Sequence, residues 1–178
     1  MADNEIFSDD PDLFASCAEL LEAARGRGLT LGTAESCTGG LVSACLTAVP
    51  GSSDVVRGGV VSYAIDVKRA VLGVSDDVFD DASLGAVSAE CAEQMARGAR
   101  FVLGCDVAVS VTGIAGPGGE EPGKPVGTVW LGLSTPAGER SALLSLEGDR
   151  AAVRHAAAAR AVELLREGVV ESSAGAGC

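Results

Sequence analysis

The sequence predicts an α/β fold, a three-layer α/β/α sandwich around a mixed, mostly parallel sheet. Segments with the composition of strands alternate with segments of helical apolar spacing through most of the chain, which is typical of a parallel sheet covered by helices. The last two strand-like segments are neighbours joined by a turn, and such a hairpin makes the sheet mixed. No internal repeat or linker divides the 178 residues, so we expect one domain over 1–178, with a core of about 12–168 and flexible termini.

The first half of the chain contains five of the predicted elements. Residues 12–26 place apolar side chains at helical spacing and are followed by glycines, which predicts the first helix. The other elements follow in the order strand 29–34, helix 39–49, strand 55–64 and short helix 66–73. Gly58 and Gly59 interrupt the second strand and predict a bulge or a close backbone approach.

The second half begins with a helix that Ser88 caps and that ends at Gly104. A buried-type strand, a glycine-rich loop, two hairpin strands and a long helix follow, at 106–112, 113–125, 126–134, 139–147 and 150–168. The sequence Thr135-Pro136-Ala137-Gly138 favours a type I turn between the hairpin strands, and Asp149 is placed to cap the last helix. The residues after this helix, "SSAGAGC", predict a frayed tail.

The charge balance argues against binding to nucleic acid. The chain has 25 acidic and 13 basic residues, a net charge of −12, whereas nonspecific nucleic-acid binding depends on cationic neutralisation of phosphates. It has no apolar run of the ~18 residues that a spanning helix needs and no basic-then-apolar leader, so we expect a cytoplasmic protein without membrane contact. A saline cytosol and a GC-rich genome both explain why only two basic residues are lysines.

The six cysteines and the single histidine do not form a metal-binding pattern. The cysteines contain no CxxC pair and are expected to be free, mostly buried thiols. A zinc site would have to be built from these dispersed thiols and His155, so no metal is expected.

The stretch "TAESCTGGL", residues 33–41, is the first candidate catalytic segment. It follows a predicted strand and precedes a helix whose first backbone N–H groups are free to stabilise negative charge. Ser36 and Cys37 are the possible nucleophiles, and Gly39 and Gly40 allow a ligand to approach the backbone. An ordinary Ser/Thr-rich turn that caps a helix explains the same pattern.

A nucleophile also needs a base, and the chain offers few. His155 lies within an alanine-rich helix, where a surface or structural role is the simpler interpretation. Lys124 lies in the loop "EEPGKP" and is expected to be solvated. Lys68 follows the strand that carries Tyr63, the only tyrosine, and a lysine whose pKa burial lowers can act as a base. A Ser-Lys pair is therefore one possibility that the residues leave open.

A second candidate segment is the glycine-rich loop after the strand 106–112. Ligands bind at such positions on open α/β sheets, although the loop matches neither the Walker nor the dinucleotide-binding pattern. Arg150 and Arg154, one helical turn apart, could hold a phosphate. A mobile surface loop and a solvated arginine pair are the alternatives.

Five segments form an ordered set of motifs, which read in chain order "AESCTGGL", "GGVVSYAIDVKRAVLGV", "GAVSAECAEQMARGAR", "VSVTGIAGPGGEEPGKPVGTVWLGL" and "GDRAAVR". Together they resemble the CinA C-terminal family over roughly residues 12–168, and the first and fourth are highly specific as a pair. The resemblance implies the stand-alone form of the family, a nicotinamide mononucleotide deamidase that releases ammonia and forms nicotinate mononucleotide. It also implies no metal or cofactor, a small nucleotide as substrate, and a homo-oligomer of two or more copies. An unpaired edge of the mixed sheet is one place where the copies could contact.

The resemblance also implies roles for individual residues. Ser36 would be the nucleophile, Lys68 the general base and Tyr63 its hydrogen-bonding assistant. The remaining implied site residues form the oxyanion hole (Cys37, Thr38, Gly39, Gly40), line the ligand pocket (Thr112, Gly113) and bind the phosphate (Arg150).

The chain departs from the family pattern in one motif. The family often has "YSNEAK" where this chain has "YAIDVK", so Ala64 and Ile65 replace two polar residues while Tyr63 and Lys68 are retained. Two other functions stay open, namely a non-catalytic nucleotide-binding protein associated with competence and damage, and an amidase for another carboxamide.

Overall fold

The computed structural model describes residues 10–174. The acidic N-terminal segment, Cys178 and most of the predicted tail lie outside these residues. The described part contains six α-helices and five β-strands: α1 Pro11–Arg27, β1 Leu31–Glu35, α2 Leu41–Thr47, β2 Val56–Val61, α3 Ile65–Leu72, α4 Asp76–Asp80, α5 Ala89–Leu103, β3 Val107–Gly113, β4 Thr128–Thr135, β5 Gly138–Ser145 and α6 Arg150–Ala174.

The strands form one mixed sheet in the order β2-β1-β3-β4-β5. β1 pairs in parallel with β2 and β3, whereas β4 is antiparallel to both β3 and β5. Helices α1, α2 and α6 cover one face, and α3, α4 and α5 cover the other. The predicted three-layer fold with a mixed sheet is confirmed, and its parallel part is the set β2-β1-β3.

The prediction for Gly58 and Gly59 is confirmed in both of its forms. The β1–β2 register passes from Leu31 opposite Val56 to Gly32 opposite Gly58, so one residue of β2 is extra. A Cβ on Gly59 would lie 2.1 Å from the Oγ of Ser43, which shows how closely α2 packs on β2. Glycine is therefore required where the strand passes under the start of α2.

Helix ends follow the predicted capping. Ser88 Oγ accepts a hydrogen bond from the N–H of Cys91, and Gly104 ends α5 in the left-handed conformation. Asp149 accepts a hydrogen bond of 2.9 Å from the N–H of Ala152 at the start of α6, as predicted. The cap of α1, Asp10 through the N–H of Leu13, was not predicted. The helix α4 and the 3-10 turn Ser52–Asp54 were not predicted, because segments of five and three residues are too short to show a period.

The predicted end of the last helix at Gly168 is wrong, because α6 continues to Ala174. Gly168 stands inside the helix where it crosses the sheet, and a Cβ there would lie 2.9 Å from side-chain atoms of Leu133 and Val107. The glycine thus serves close packing rather than termination. Val169 is buried beside it and holds the following turn against the core. Among residues 10–174, no helix combines the length and apolar character that a bilayer crossing requires.

Candidate active site

Ser36 lies at the carboxyl edge of the parallel strands, directly after β1. Its N–H donates to the carbonyl of Val111 in β3 over 2.9 Å. On the other side, the N–H of Ser62 donates to the Glu35 carbonyl over 2.8 Å. These bonds extend the pairing of β1 on both sides by one residue and fix the backbone of Ser36. Ligands bind at this edge in open α/β sheets.

Lys68, on α3, meets Ser36 at this edge. Its Nζ lies 2.8 Å from Ser36 Oγ and donates to the carbonyl of Ser62 over 2.5 Å. The lysine is only 1% exposed, and its burial lowers the pKa of the ammonium from the ordinary value of 10.5. Neutral lysine has a lone pair that can accept the serine proton while an N–H bonds Ser62. The pair therefore has the geometry of a nucleophile and its base.

The chain reverses direction in the turn 37–40, which connects Ser36 to α2. Gly39 and Gly40 have φ angles of 62° and 96°, which side chains with a Cβ rarely adopt. The N–H of Gly39 donates to the Ser36 carbonyl, and that of Gly40 donates to a carboxylate oxygen of Glu35. Within residues 10–174, the N–H groups of Cys37 and Thr38 donate to no other residue. Two of the four amides implied for the oxyanion hole are thus engaged; of the other two residues, Cys37 lines the cleft and Thr38 is fully buried.

Glu35 is a functional candidate that the sequence did not predict. It is fully buried at the end of β1, and its carboxylate accepts hydrogen bonds at the start of α2. The available signal was a carboxylate shortly ahead of a helix that has no acidic residue in its first turn. The serine and cysteine beside it are the more obvious chemical groups.

A cleft of about 260 Å³ opens beside Ser36 and Cys37. Gly113 and the following loop form one wall, and Tyr63 and Arg150 also line it. Arg150 donates to the carbonyl of Gly116 over 2.8 Å and to the Tyr63 hydroxyl over 3.1 Å. The structure thus brings Ser36, Lys68, Tyr63, Gly113 and Arg150 to one region, although the Tyr63 hydroxyl is paired with Arg150 rather than with Lys68.

Two predicted contact residues lie behind the cleft surface. Thr112 is 1% exposed, and its hydroxyl donates to the carbonyl of Ala86 over 2.6 Å. Thr38 is buried, and its carbonyl accepts a hydrogen bond of 2.7 Å from Arg154. Arg154 therefore connects α6 to the turn 37–40. This contact was not predicted, since the sequence suggested Arg154 only as part of a phosphate-binding pair with Arg150.

The expectation that Lys124 is solvated is wrong. Its side chain is 16% exposed, and its ammonium contacts Glu121 at 2.9 Å and the Leu84 carbonyl at 2.5 Å. These contacts tie the glycine-rich loop to the segment before α5. Lys124 is thus a structural cation and does not compete with Lys68 as a base.

The alternative nucleophile and base are less suitable than Ser36 and Lys68. Burial raises the pKa of the Cys37 thiol to about 11, which disfavours the reactive thiolate. His155 lies 2.5 Å from an oxygen of Asp10, beside the start of α1. The five cysteines of the described segment are free and buried, as predicted. No cluster of metal-ligating side chains occurs in residues 10–174.

The chain matches one family model and many relatives. The model described as CinA C-terminal domain matches residues 15–169. A CinA-like protein from Myxococcus xanthus is 46% identical over 175 residues, which cover 98% of this chain and 41% of that protein. A CinA-like protein from Geobacter metallireducens is 49% identical over 142 residues, 80% of this chain and 34% of that protein. The chain therefore spans about two fifths or less of these relatives.

Solved structures of similar size share the fold. A competence-damaged protein (CinA) superfamily protein from Klebsiella pneumoniae has a TM-score of 0.85 and 33% identity, and the match covers 90% of this chain and 99% of that one. The competence/damage inducible protein CihA from Agrobacterium tumefaciens has a TM-score of 0.82 and 40% identity, with 86% and 93% of the two chains covered.

Proposed function

The chain belongs to the CinA C-terminal domain family, and on this premise we propose that it is a serine-lysine amidohydrolase that converts nicotinamide mononucleotide into nicotinate mononucleotide and ammonia. The observation that carries the proposal is the 2.8 Å contact between Ser36 Oγ and a buried lysine amine whose pKa is lowered. A buried lysine is costly to keep, and its contact with a hydroxyl at a cleft favours a catalytic use.

The proposed reaction begins with attack of Ser36 Oγ on the carboxamide carbon while Lys68 takes the serine proton. The tetrahedral oxyanion forms beside the N–H group of Cys37 at the cleft, which supplies electrostatic stabilisation. Lys68 then gives the proton to the departing ammonia. Water, deprotonated by the same amine, attacks the acyl-enzyme, and Lys68 returns that proton to Ser36 Oγ as nicotinate mononucleotide leaves. The positive charge of the pyridinium ring makes the carbon more electrophilic, which suits a dyad without histidine.

Arg150 is the proposed phosphate ligand. Its guanidinium lies at the cleft with one hydrogen bond to a loop carbonyl and one to Tyr63, so it is oriented before a ligand arrives. Arginine presents paired donors that match two phosphate oxygens. A phosphate held there would place the other end of a mononucleotide toward Ser36, on the same cleft.

The test is ammonia release from nicotinamide mononucleotide by the folded wild-type chain. Ser36→Ala and Lys68→Ala are each expected to reduce kcat by on the order of 10³-fold or more, because either change removes the working pair. Ser145→Ala, an exposed serine on β5, is the matched control and should retain wild-type activity. Absence of ammonia from the folded wild type would favour the non-catalytic nucleotide-binding alternative.

The substrate is tested separately with nicotinamide and its riboside. A higher kcat/KM for the mononucleotide is expected, and Arg150→Ala should remove that advantage. Equal kcat/KM for riboside and mononucleotide would contradict the phosphate role, and faster reaction of an unrelated carboxamide would favour the second alternative.

A further inference from the structure

Glu35 is a buried carboxylate whose hydrogen-bond partners lie in β1, in the turn 37–40 and at the start of α2. The exposed fraction of Glu35 is 0%. It is the last residue of β1 and directly precedes Ser36. The Oε2 atom accepts from the N–H of Gly40 at 2.9 Å and from that of Val42 at 3.1 Å. The Oε1 atom accepts from the N–H and the hydroxyl of Ser43 at 2.8 and 2.7 Å.

These bonds replace the cap that α2 lacks. No side chain of the N-cap residue Gly40 can bond the first amides of the helix, and the first turn has no acidic residue. Glu35 supplies the acceptors from the preceding strand, and the positive end of the helix in turn stabilises its charge. Thr33 extends the network, because its Oγ1 lies 2.6 Å from the Ser43 hydroxyl.

The same bonds set the shape of the turn after the nucleophile. Glu35 and Gly40 flank the turn, and the 2.9 Å bond between the Glu35 carboxylate and the Gly40 N–H fixes the distance between its two ends. Because Gly39 is bonded back to Ser36, the amides of Cys37 and Thr38 are left over, and of these two residues Cys37 lines the cleft while Thr38 is buried behind it. Loss of the Glu35 contacts would let the turn relax and move these amides relative to Ser36.

We propose that Glu35 is a positioning residue for the hydrolytic site, and that its carboxylate holds the turn 37–40 in the shape that presents the amide of Cys37 to the substrate oxyanion. The inference rests on the proposed function insofar as it takes Ser36 to be the nucleophile. Glu35 contacts no reacting atom in this scheme. It acts through the backbone, so its removal affects the rate of acylation and leaves binding of the nucleotide largely unchanged.

The decisive variant is Glu35→Gln, which keeps the size of the side chain and turns one acceptor oxygen into a donor. An NH₂ group would face backbone N–H groups, so the turn must shift. The expected result is a loss in kcat of roughly 10- to 100-fold with little change in KM, since small displacements of catalytic groups have effects of this size. Labelling of Ser36 with a fluorophosphonate is the second readout and should slow by a similar factor.

The labelling reaction does not depend on the natural substrate. Ser36 Oγ forms a bond to phosphorus, fluoride leaves, and Lys68 takes the hydroxyl proton, so the rate reports the nucleophile, its base and the oxyanion hole without the natural substrate. A wild type that is labelled but releases no ammonia would refute the proposed substrate and leave this inference open to test. A wild type that is not labelled would refute the inference together with the Ser36 assignment.

Asp106→Asn is the matched control. Asp106 accepts from the N–H and hydroxyl of Thr30 at 2.8 and 2.7 Å, both at Oδ2, near the opposite end of β1. Asparagine can accept both bonds through its amide oxygen, so this variant should leave labelling at the wild-type rate. Wild-type labelling in Glu35→Gln, or equal loss in Asp106→Asn, would overturn the proposal.

A milder variant covers the case in which Glu35→Gln does not fold. Ser43→Ala removes the 2.7 Å bond from the hydroxyl to the carboxylate and the 2.6 Å contact of that hydroxyl with Thr33, and it leaves the backbone bonds to Glu35 in place. It is expected to slow labelling by about threefold to tenfold, because one of several contacts to the carboxylate is lost. Labelling of folded Ser43→Ala at the wild-type rate would then overturn the proposal.

Discussion

The two faces of the sheet are packed in different ways. The face under α1, α2 and α6 buries a continuous set of aliphatic side chains from every element that crosses it. The face under α3, α4 and α5 has a smaller apolar cluster, and Lys68, 1% exposed, lies beside it. β3 shows the contrast within one strand, because Val107 and Val109 face the first layer while Ala108 faces the second.

The two layers therefore contribute differently to the stability of the fold and to the candidate site. Burial of aliphatic surface in the first layer supplies most of the stabilisation, at about 25 cal/mol per Å² of apolar area. The second layer gives up part of that gain in order to hold an amine in a dry position next to Ser36. Substitutions in this layer that remove the buried amine are therefore expected to increase the free energy of unfolding while they abolish the site.

The largest expected effect is that of Lys68→Met, which keeps the chain length of the side chain and removes the amine. Activity should fall on the order of 10³-fold or more, while the free energy of unfolding should be unchanged or higher by about 1–3 kcal/mol. Ammonia release and urea unfolding measure the two effects. Leu72→Met, a buried change on the same helix, is the control and should retain activity. A strongly destabilised Lys68→Met would show that the amine holds the layer together.

The gain in stability depends on pH in a defined direction. Burial lowers the folded-state pKa of Lys68 below its unfolded value of 10.5, so the unfolded chain binds the proton more readily. At pH values below the folded-state pKa, the protonated lysine therefore lowers the free energy of unfolding of the wild type. This free energy increases as pH rises from the folded-state pKa toward 10.5. The advantage of Lys68→Met should shrink over the same range.

The pH dependence of the reaction is the next largest effect. If neutral Lys68 is the base, kcat/KM for the free enzyme rises about tenfold per pH unit below the lysine pKa and levels above it. The level region should begin below pH 10.5, because burial lowers that pKa. Initial rates at several pH values measure this. A profile that still rises at pH 10.5 would contradict a lowered pKa.

The first layer was easier to predict from the sequence than the second. The spacing in α1 and the β-branched run of β3 predict buried faces directly, and both elements were placed to within a residue or two. Ser36 and Lys68 are 32 positions apart, and only the parallel pairing of β1 and β2 brings them together. The family resemblance supplied this pair, and the residues alone left it as one possibility.

Glu35 could not be predicted for a related reason. A glutamate in a strand is usually predicted to face solvent. Glu35 is buried because the start of α2 packs over it and donates hydrogen bonds to its carboxylate. Gly168 was misread because a glycine in a helix has the same local pattern whether it ends the helix or touches the sheet. In both cases the deciding contacts are non-local.

The smallest effects on activity are expected from changes in helix packing. Two helical glycines, one in each helical layer, allow the two layers to be compared. Gly98 in α5 touches α3 so closely that a Cβ would lie 2.0 Å from the carbonyl oxygen of Leu72. Gly98→Ala should therefore force α3 and α5 apart, destabilise the fold by about 2–3 kcal/mol and reduce kcat, because Leu72 is one turn from Lys68. Thermal unfolding and ammonia release measure this.

Gly26 in α1 is the matched position on the other face, where no atom lies within 4 Å of a built Cβ. Gly26→Ala meets no neighbour and reduces the conformational freedom of the unfolded chain, so it should stabilise the fold by about 0.5 kcal/mol and leave kcat unchanged. Equal tolerance of alanine at both positions would show that α3 can shift without cost. In that case close packing of α3 on α5 would not be what keeps Lys68 within reach of Ser36.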